Sequence, residues 1–297
     1  MATPDGSAFQ LYSSVRYDAT LRTVAGNEAL KHAGWNYKNS SPYYMLDFHR
    51  DRLLRAATHW GWEAAVAAVS GDAGLARLSE VLDKAVVDEK DGPNRCRITL
   101  SQDGQIGCDV SGATATPLSG LFPLEFPAPG FMTSGPDSAS EEGVPPPPPP
   151  LLLQMRATMG QAPYEVTLDD DRTSSSPYTH YKTTRRQIYD AARKRAGITG
   201  PELKEVLLVN SSSGVIMDGS ISTVYFWRNG RWVTPPVPPK YGKESGSGGL
   251  DGTTRRWALE RELAVEEEVK ADSLQHGEEC WMSNGVRGYL FGKVKLQ

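Results

Sequence analysis

Six consecutive prolines, Pro145 to Pro150, close a stretch that begins at residue 116 and also holds Pro117, Pro123, Pro127, Pro129 and Pro136 among interleaved Gly and Ser. Proline fixes φ and lacks an amide proton, so this stretch continues neither a helix nor a central strand and reads as an exposed, extended connection. A hexaproline also suits the grooves of SH3 or WW domains, while a plain linker accounts for the same composition. The 297-residue chain is thereby divided into two parts, each long enough for a core of its own. The expected organisation is a small α+β domain at 7–115, a Pro-rich linker and lead-in at 116–176, and a larger domain at 177–297. A second stretch, Lys243 to Gly249 (KESGSGG), is dense in Gly and Ser and is expected to be flexible.

Both hydrophobic periods occur on each side of the linker. Phe9 to Tyr17 alternates as a strand does, Arg95 to Leu100 is a strand entering a turn at Gln102 to Gln105, and Glu205 to Asn210 is a further strand. Val224 to Trp227 and Arg231 to Val233 flank Asn229-Gly230, a dipeptide suited to a two-residue hairpin turn. Leu46, Leu53, Leu54, Ala57, Trp60 and Ala64 recur at helical spacing, predicting one amphipathic helix from near Asp47 toward Val69. Helices are also predicted at Leu75 to Val87, Thr183 to Arg195 and Thr254 to Glu262. This order lacks regular βαβ alternation and favours an α+β fold over a doubly wound sheet.

Several function classes lose support on composition and motif. Lys and Arg number 32 against 36 Asp and Glu, so net charge −4 offers no global attraction for nucleic acid or an anionic membrane surface. No window approaches the ~18 apolar residues of a membrane span, and the opening Met1 to Gly6 shows no basic region followed by an apolar run, so no secretory leader is expected. Cys96, Cys108 and Cys280 are odd in number and scattered, which argues against a disulfide framework or structural zinc and makes a reducing, cytoplasmic compartment the default. GxGxxG after a strand, GxxxxGK[ST], HExxH and GxSxG are all missing, and the five histidines lack metal-ligand spacing. No metal site is expected.

Four short segments carry a positive signal together. Tyr178-Thr179-His180-Tyr181-Lys182-Thr183-Thr184-Arg185-Arg186 resembles the lysine motif of fold-type IV pyridoxal-phosphate enzymes, which include branched-chain aminotransferases, D-amino-acid transaminases and aminodeoxychorismate lyases. His49-Arg50-Asp51-Arg52-Leu53 resembles their H-x-x-R-L helix start, Met217 to Thr223 their E-G-S-x-S-N segment, and Gly252-Thr253-Thr254-Arg255 their G-I-T-R phosphate loop. All four occur in the family's order. The resemblance implies a two-domain fold-type IV architecture of the D-amino-acid-aminotransferase kind, with pyridoxal 5'-phosphate between the domains and the larger domain holding most of it. It also implies a homodimer.

The residue types suit those roles. A lysine that attacks an aldehyde must first lose its proton, which desolvation or neighbouring positive charge promotes, and Lys182 lies near Arg185 and Arg186 in sequence. Without its motif, Lys182 reads as an ordinary solvated lysine. A phosphate is met by free N–H groups at a helix start together with a fixed cation. By resemblance Thr253 and Thr254 form that cup and Arg52 is the cation; the plainer readings are an N-cap for Thr253 and an exposed helix arginine paired with Asp51 for Arg52. Asp218 stands where the family has Glu to keep the pyridine nitrogen protonated, and Thr223 stands where it has Asn. These departures leave room for a catalytically impaired paralogue.

Leu11 to Asp18, Arg95 and Arg97, Tyr189 to Arg193, and Trp281 to Tyr289 are similar to fungal-type 4-amino-4-deoxychorismate lyases. That similarity implies elimination of pyruvate from 4-amino-4-deoxychorismate to give p-aminobenzoate, a step of folate biosynthesis, with Ser14 as proton relay in place of a threonine. The substrate is a small molecule with two carboxylates, suited to forked guanidinium donors. Arg97 is the first candidate, with Arg16 and Arg287 behind it; a solvent-facing charge on an edge strand is the competing reading of Arg97. An aminotransferase of branched-chain or D-amino-acid type shares the cofactor motifs and remains the alternative.

Overall fold

Alternate residues of Asn94–Leu100 are buried (Cys96, Ile98, Leu100), as a strand with one covered face requires. This strand, β2, pairs antiparallel with both β1, Leu11–Tyr17, and β3, Ile106–Gly112, in a three-stranded sheet of order β1-β2-β3. The computed structural model describes residues 9–86, 92–132, 156, 162–243 and 245–296. Most of the proline-rich stretch, from residue 133 through Pro150, lies outside the described residues, as does Val87.

The described residues fall into two compact units, each with its own sheet and core. The first takes in residues up to Ala115 together with Ser176–Gln187 and Pro239–Tyr241; the second takes in the rest. Lys182, which the sequence division groups with the C-terminal half, therefore clusters with the N-terminal residues.

In the first unit, helices Leu46–His59, Glu63–Val69 and Gly71–Ala85 bury Leu53, Ala57, Ala65, Leu78 and Leu82 in one core with Leu11, Val15, Ile98 and Leu100. The single helix expected up to Val69 is two. Gly61 sits at φ 64°, a left-handed value that ends the first helix, and Trp62 leads into the second.

The second unit carries an eight-stranded mixed sheet. Its strands are β4 Tyr164–Thr173, β5 Lys204–Asn210, β6 Ile216–Gly219, β7 Thr223–Arg228, β8 Arg231–Thr234, β9 Val265–Glu266, β10 Glu279–Asn284 and β11 Gly288–Val294. Their order is β6-β5-β4-β11-β10-β7-β8-β9. Strand β5 is buried on both faces. Leu207 and Val209 pack with Ile216, Val224, Phe226 and Met282, whereas Val206 and Leu208 pack with Tyr189, Ala192 and Ile198, beside helix Gln187–Arg195. Two covered faces explain the unbroken apolar run of this strand. The expected Asn229-Gly230 turn joins β7 and β8, with both residues at positive φ. The α+β class read from the sequence is what the chain adopts.

Three local expectations give way. The described part of the expected linker is not an exposed extension: Leu118–Leu121 is helical, Leu121, Phe122 and Phe126 are buried, and the lead-in forms the interior strand β4. Helix Gln187–Arg195 starts after the Lys182 segment, because Thr183 bridges Leu11 and the Thr184 N–H donates to the Gln10 carbonyl at 2.9 Å. The backbone at Lys182 to Thr184 is thereby paired along β1 and unavailable for a helix. The end of the Gly/Ser stretch is packed: Ser247, Gly248 and Gly249 are buried, and the Ser247 N–H donates to the Pro236 carbonyl at 2.7 Å, while Lys243, Ser245 and Gly246 are exposed. At Gly249 a Cβ would lie 2.1 Å from the Met217 carbonyl oxygen, so glycine there permits backbone contact with β6.

Candidate active site

In the first unit the site is built on β1 and the segment paired beside it. The Tyr12 N–H donates to the Lys182 carbonyl at 3.1 Å, and the Lys182 ammonium lies 4.9 Å from the centroid of the Tyr12 ring. The Arg97 guanidinium stands 5.2 Å from the same ring, and Arg186 donates from Nη1 to the Tyr12 hydroxyl at 2.8 Å. Three cations thus surround one buried phenol. Burial pushes Tyr12 up, but the charges of Lys182 and Arg186 and their hydrogen bonds outweigh it and hold the phenol below its ordinary value. Arg185, adjacent in sequence, is elsewhere: its guanidinium lies over the rings of Phe9 and Tyr178.

Successive residues of β1 serve opposite faces. Ser14 is the register partner of Arg97 and accepts from Arg95 Nε at 3.4 Å. Ser13 and helix Leu46–His59 form a separate buried group: Ser13 Oγ is 2.7 Å from His49 Nδ1 and accepts a hydrogen bond from Arg52 Nη2. His49 and Arg52 are three apart on the helix and so share its inward face. Burial first, then the positive charges of Arg52 and Lys182, push the His49 imidazole well below its ordinary value. At neutral pH this ring is uncharged.

The second unit carries a different kind of surface. Helix Thr253–Glu260 begins after Gly252, which offers no side-chain cap, and the Thr253 hydroxyl is buried without a hydrogen-bond partner. A helix start without a side-chain cap, an orphaned hydroxyl and the positive end of the helix are features suited to an anion. A Cβ on Gly252 would meet the Thr223 hydroxyl at 2.8 Å, so this glycine brings the turn close to β7. The Thr254 hydroxyl is used internally: it donates to Ser283 Oγ at 2.8 Å, and Ser283 bonds the Tyr225 hydroxyl at 2.9 Å. Tyr289 donates to the Thr254 carbonyl at 2.7 Å. What Thr254 retains for an anion is its backbone N–H.

Asp218 is buried on β6, opposite Leu208 of β5. The turn after it is held by a residue that sequence reasoning did not single out. The buried Glu205 carboxylate accepts from the N–H and hydroxyl of Ser220, from the N–H of Ile221 and from the hydroxyl of Ser222. At Gly219 a Cβ would lie 2.7 Å from the Ser222 carbonyl oxygen, so the turn also requires glycine. Glu205 stands inside an apolar strand run, where a lone acid is the only clue that a set of donors must meet it.

The three arginines proposed for substrate carboxylates differ in how they are engaged. Arg97 is 37% exposed and 3.8 Å from Asp109, a loose pair that leaves its donors accessible. Arg287 donates to the Tyr164 hydroxyl at 2.9 Å, in a turn where Asn284 accepts from the Arg287 N–H. Arg16 is fully buried; it donates through Nε and Nη2 to Asp18 and through Nη1 to the Thr114 carbonyl. Its guanidinium is committed to that corner. Arg255 likewise holds Glu266 and the Pro235 carbonyl. Among the described residues no group of His, Cys, Asp and Glu could hold a metal ion, and no helix is long and apolar enough to cross a membrane.

Residues 131–293, more than half of the chain, match the amino-transferase class IV family, and the chain belongs to it. Two curated yeast proteins are similar over part of their length. One, from Schizosaccharomyces pombe and provisionally named an aminodeoxychorismate lyase, is 32% identical over 145 residues, covering 47% of this chain and 59% of its own. The other, the aminodeoxychorismate lyase of Saccharomyces cerevisiae, is 31% identical over 149 residues, covering 45% of this chain and 38% of its own. The matched region thus spans less than two thirds of either relative. A solved structure from Mesorhizobium loti, provisionally titled an amino-acid aminotransferase, superposes with a TM-score of 0.60 at 21% identity, covering 96% of this chain and 99% of that one. The fold is that of the fold-type IV aminotransferases and aminodeoxychorismate lyases, as the sequence motifs implied.

Proposed function

We propose that the chain is a pyridoxal-phosphate-dependent lyase that releases pyruvate from 4-amino-4-deoxychorismate and leaves p-aminobenzoate, a step of folate biosynthesis. The observation that carries this reading is the presence of two chemistries in one chain: a lysine among cations in the first unit, and in the second a helix start with an orphaned hydroxyl together with a buried aspartate. The similarity to the two yeast proteins supports the choice of reaction within the family.

The residues fit the cofactor's chemistry. Thr253, with its unpartnered hydroxyl and the N–H groups of its turn, and Thr254, through its backbone N–H, would hold the phosphate with Arg52. Asp218 would keep a proton on the ring nitrogen, its turn stiffened by Glu205. When bound, pyridoxal phosphate supplies an electron sink for the carbon that loses a proton. Lys182 would anchor the cofactor at its aldehyde carbon, and its amine would serve as the base that takes the proton from the substrate's amine-bearing carbon. Ser14 would relay a proton toward the departing enolpyruvate. Arg97 and Arg287 would take the substrate carboxylates, whereas Arg16 is reassigned to holding the end of β1. A cytoplasmic homodimer without nucleic-acid or membrane partners completes the reading.

The test is pyruvate release from 4-amino-4-deoxychorismate by the purified protein, with and without an added keto acid. A lyase forms pyruvate and p-aminobenzoate in both cases. An aminotransferase, the class of the Mesorhizobium loti neighbour's title, turns over only when the keto acid is present.

A further inference from the structure

We infer that His49 is a positioning residue, whose Nδ1 takes the proton of Ser13 and so fixes the Ser13 oxygen that aims the Arg52 guanidinium at the cofactor phosphate. The inference rests on the pyridoxal-phosphate reading above and adds a residue to it.

The proton directions follow from the partners. A guanidinium only donates, and Arg52 Nη2 donates to Ser13 Oγ. The same Nη2 lies 3.4 Å from His49 Nδ1, so a second N–H at Nδ1 would confront a cation. Nδ1 therefore presents its lone pair, and the one hydroxyl proton of Ser13 fills it across 2.7 Å. With that proton spent, both lone pairs of Ser13 Oγ are free to accept, and one is taken by Arg52. The remaining imidazole proton sits on Nε2, which is buried without a hydrogen-bond partner. Ser13 and His49 are each fully buried, so water does not compete for these groups. A buried, unsatisfied Nε2–H is a cost the fold bears. It accompanies a ring whose other nitrogen sets the direction of a serine hydroxyl. A group that merely filled space would be apolar here.

The test compares the equilibrium dissociation constants of pyridoxal 5'-phosphate and of pyridoxal, which lacks the phosphate, for the wild type, His49→Ala, His49→Asn, His49→Gln and Ser13→Ala. Asparagine can place an acceptor near the position of Nδ1, glutamine near that of Nε2. The expected result is about tenfold weaker pyridoxal-phosphate binding in His49→Ala, His49→Gln and Ser13→Ala, with recovery to within about twofold in His49→Asn. Pyridoxal binding should be unchanged in all of them. Undiminished pyridoxal-phosphate binding in both alanine variants, or recovery in His49→Gln but not in His49→Asn, overturns the inference while leaving the cofactor reading intact. Wild-type protein that fails to bind pyridoxal phosphate overturns that reading and this inference with it. Melting curves of the cofactor-free variants report whether His49→Ala folds, and Ser13→Ala carries the test if it does not.

Discussion

The two units gather their candidate functional residues by different physics. Around Tyr12 of β1 the first unit gathers charged side chains, Arg97 from β2 and Lys182 and Arg186 from the segment paired beside β1. The turn from Gly249 to Thr254 in the second unit relies on backbone, with glycines allowing contact at β6 and β7 and a helix start left open. A charge cluster can lose one member and keep its shape. A backbone receptor fails when a single methyl group displaces the chain. Side-chain changes in the first unit should therefore alter chemistry with little cost in stability, whereas glycine changes in the second should cost stability first.

The largest effect tests the first half of that contrast. Lys182→Ala should lower turnover by about 10³-fold or more, while the melting temperature of the cofactor-free protein stays near that of the wild type. A comparable loss of stability would blur the distinction. Asp218→Asn removes the carboxylate without changing its size. Its kcat should fall by about 100-fold with pyridoxal phosphate still bound, as measured by stopped assays alongside absorbance of the bound cofactor.

Gly249→Ala addresses the second half. The added methyl would sit 2.1 Å from the Met217 carbonyl oxygen, a backbone atom. Denaturant titration should show a loss of about 1–3 kcal/mol. Gly252→Ala meets a hydroxyl at 2.8 Å and should cost less. Equal costs would mean that the β6 contact is not special. Arg97→Ala should raise KM by about tenfold and leave cofactor affinity unchanged, since the exposed guanidinium is assigned to substrate alone.

The smallest effect concerns pH. Burial and the charges of Arg52 and Lys182 keep the folded His49 from taking a proton, whereas the unfolded chain takes one near 6.5. The unfolded state then binds more protons, so stability falls as pH drops below that value toward the depressed folded one. Between about pH 7 and pH 5.5 the wild-type melting temperature should decline more steeply than that of His49→Asn. Parallel declines would show that His49 does not contribute.

Local periods carried much of the fold. The β1 strand, β5, the Asn229-Gly230 hairpin and helix Leu46–His59 were legible because each is specified by neighbours two to four residues away. The helix expected from Thr183 failed because Leu11 and Gln10 claim that backbone from far along the chain. Lys243 to Gly249 read as flexible from composition, yet its end is packed because glycine serves close approach as well as freedom. Motifs singled out Lys182, Arg52, Asp218, Thr253 and Thr254. They could not reveal that Tyr12 lies beneath Lys182, that Ser13 joins His49 to Arg52, or that Glu205 ties the turn after Asp218, since those partners meet only in the fold.

The account turns on covalent attachment of the cofactor to one lysine. Purified protein incubated with pyridoxal phosphate, reduced with borohydride, digested and examined by mass spectrometry identifies that lysine directly. The expected result is one stoichiometric pyridoxyl adduct on the peptide containing Lys182. An adduct on another lysine, or none on a folded protein saturated with cofactor, would contradict the account.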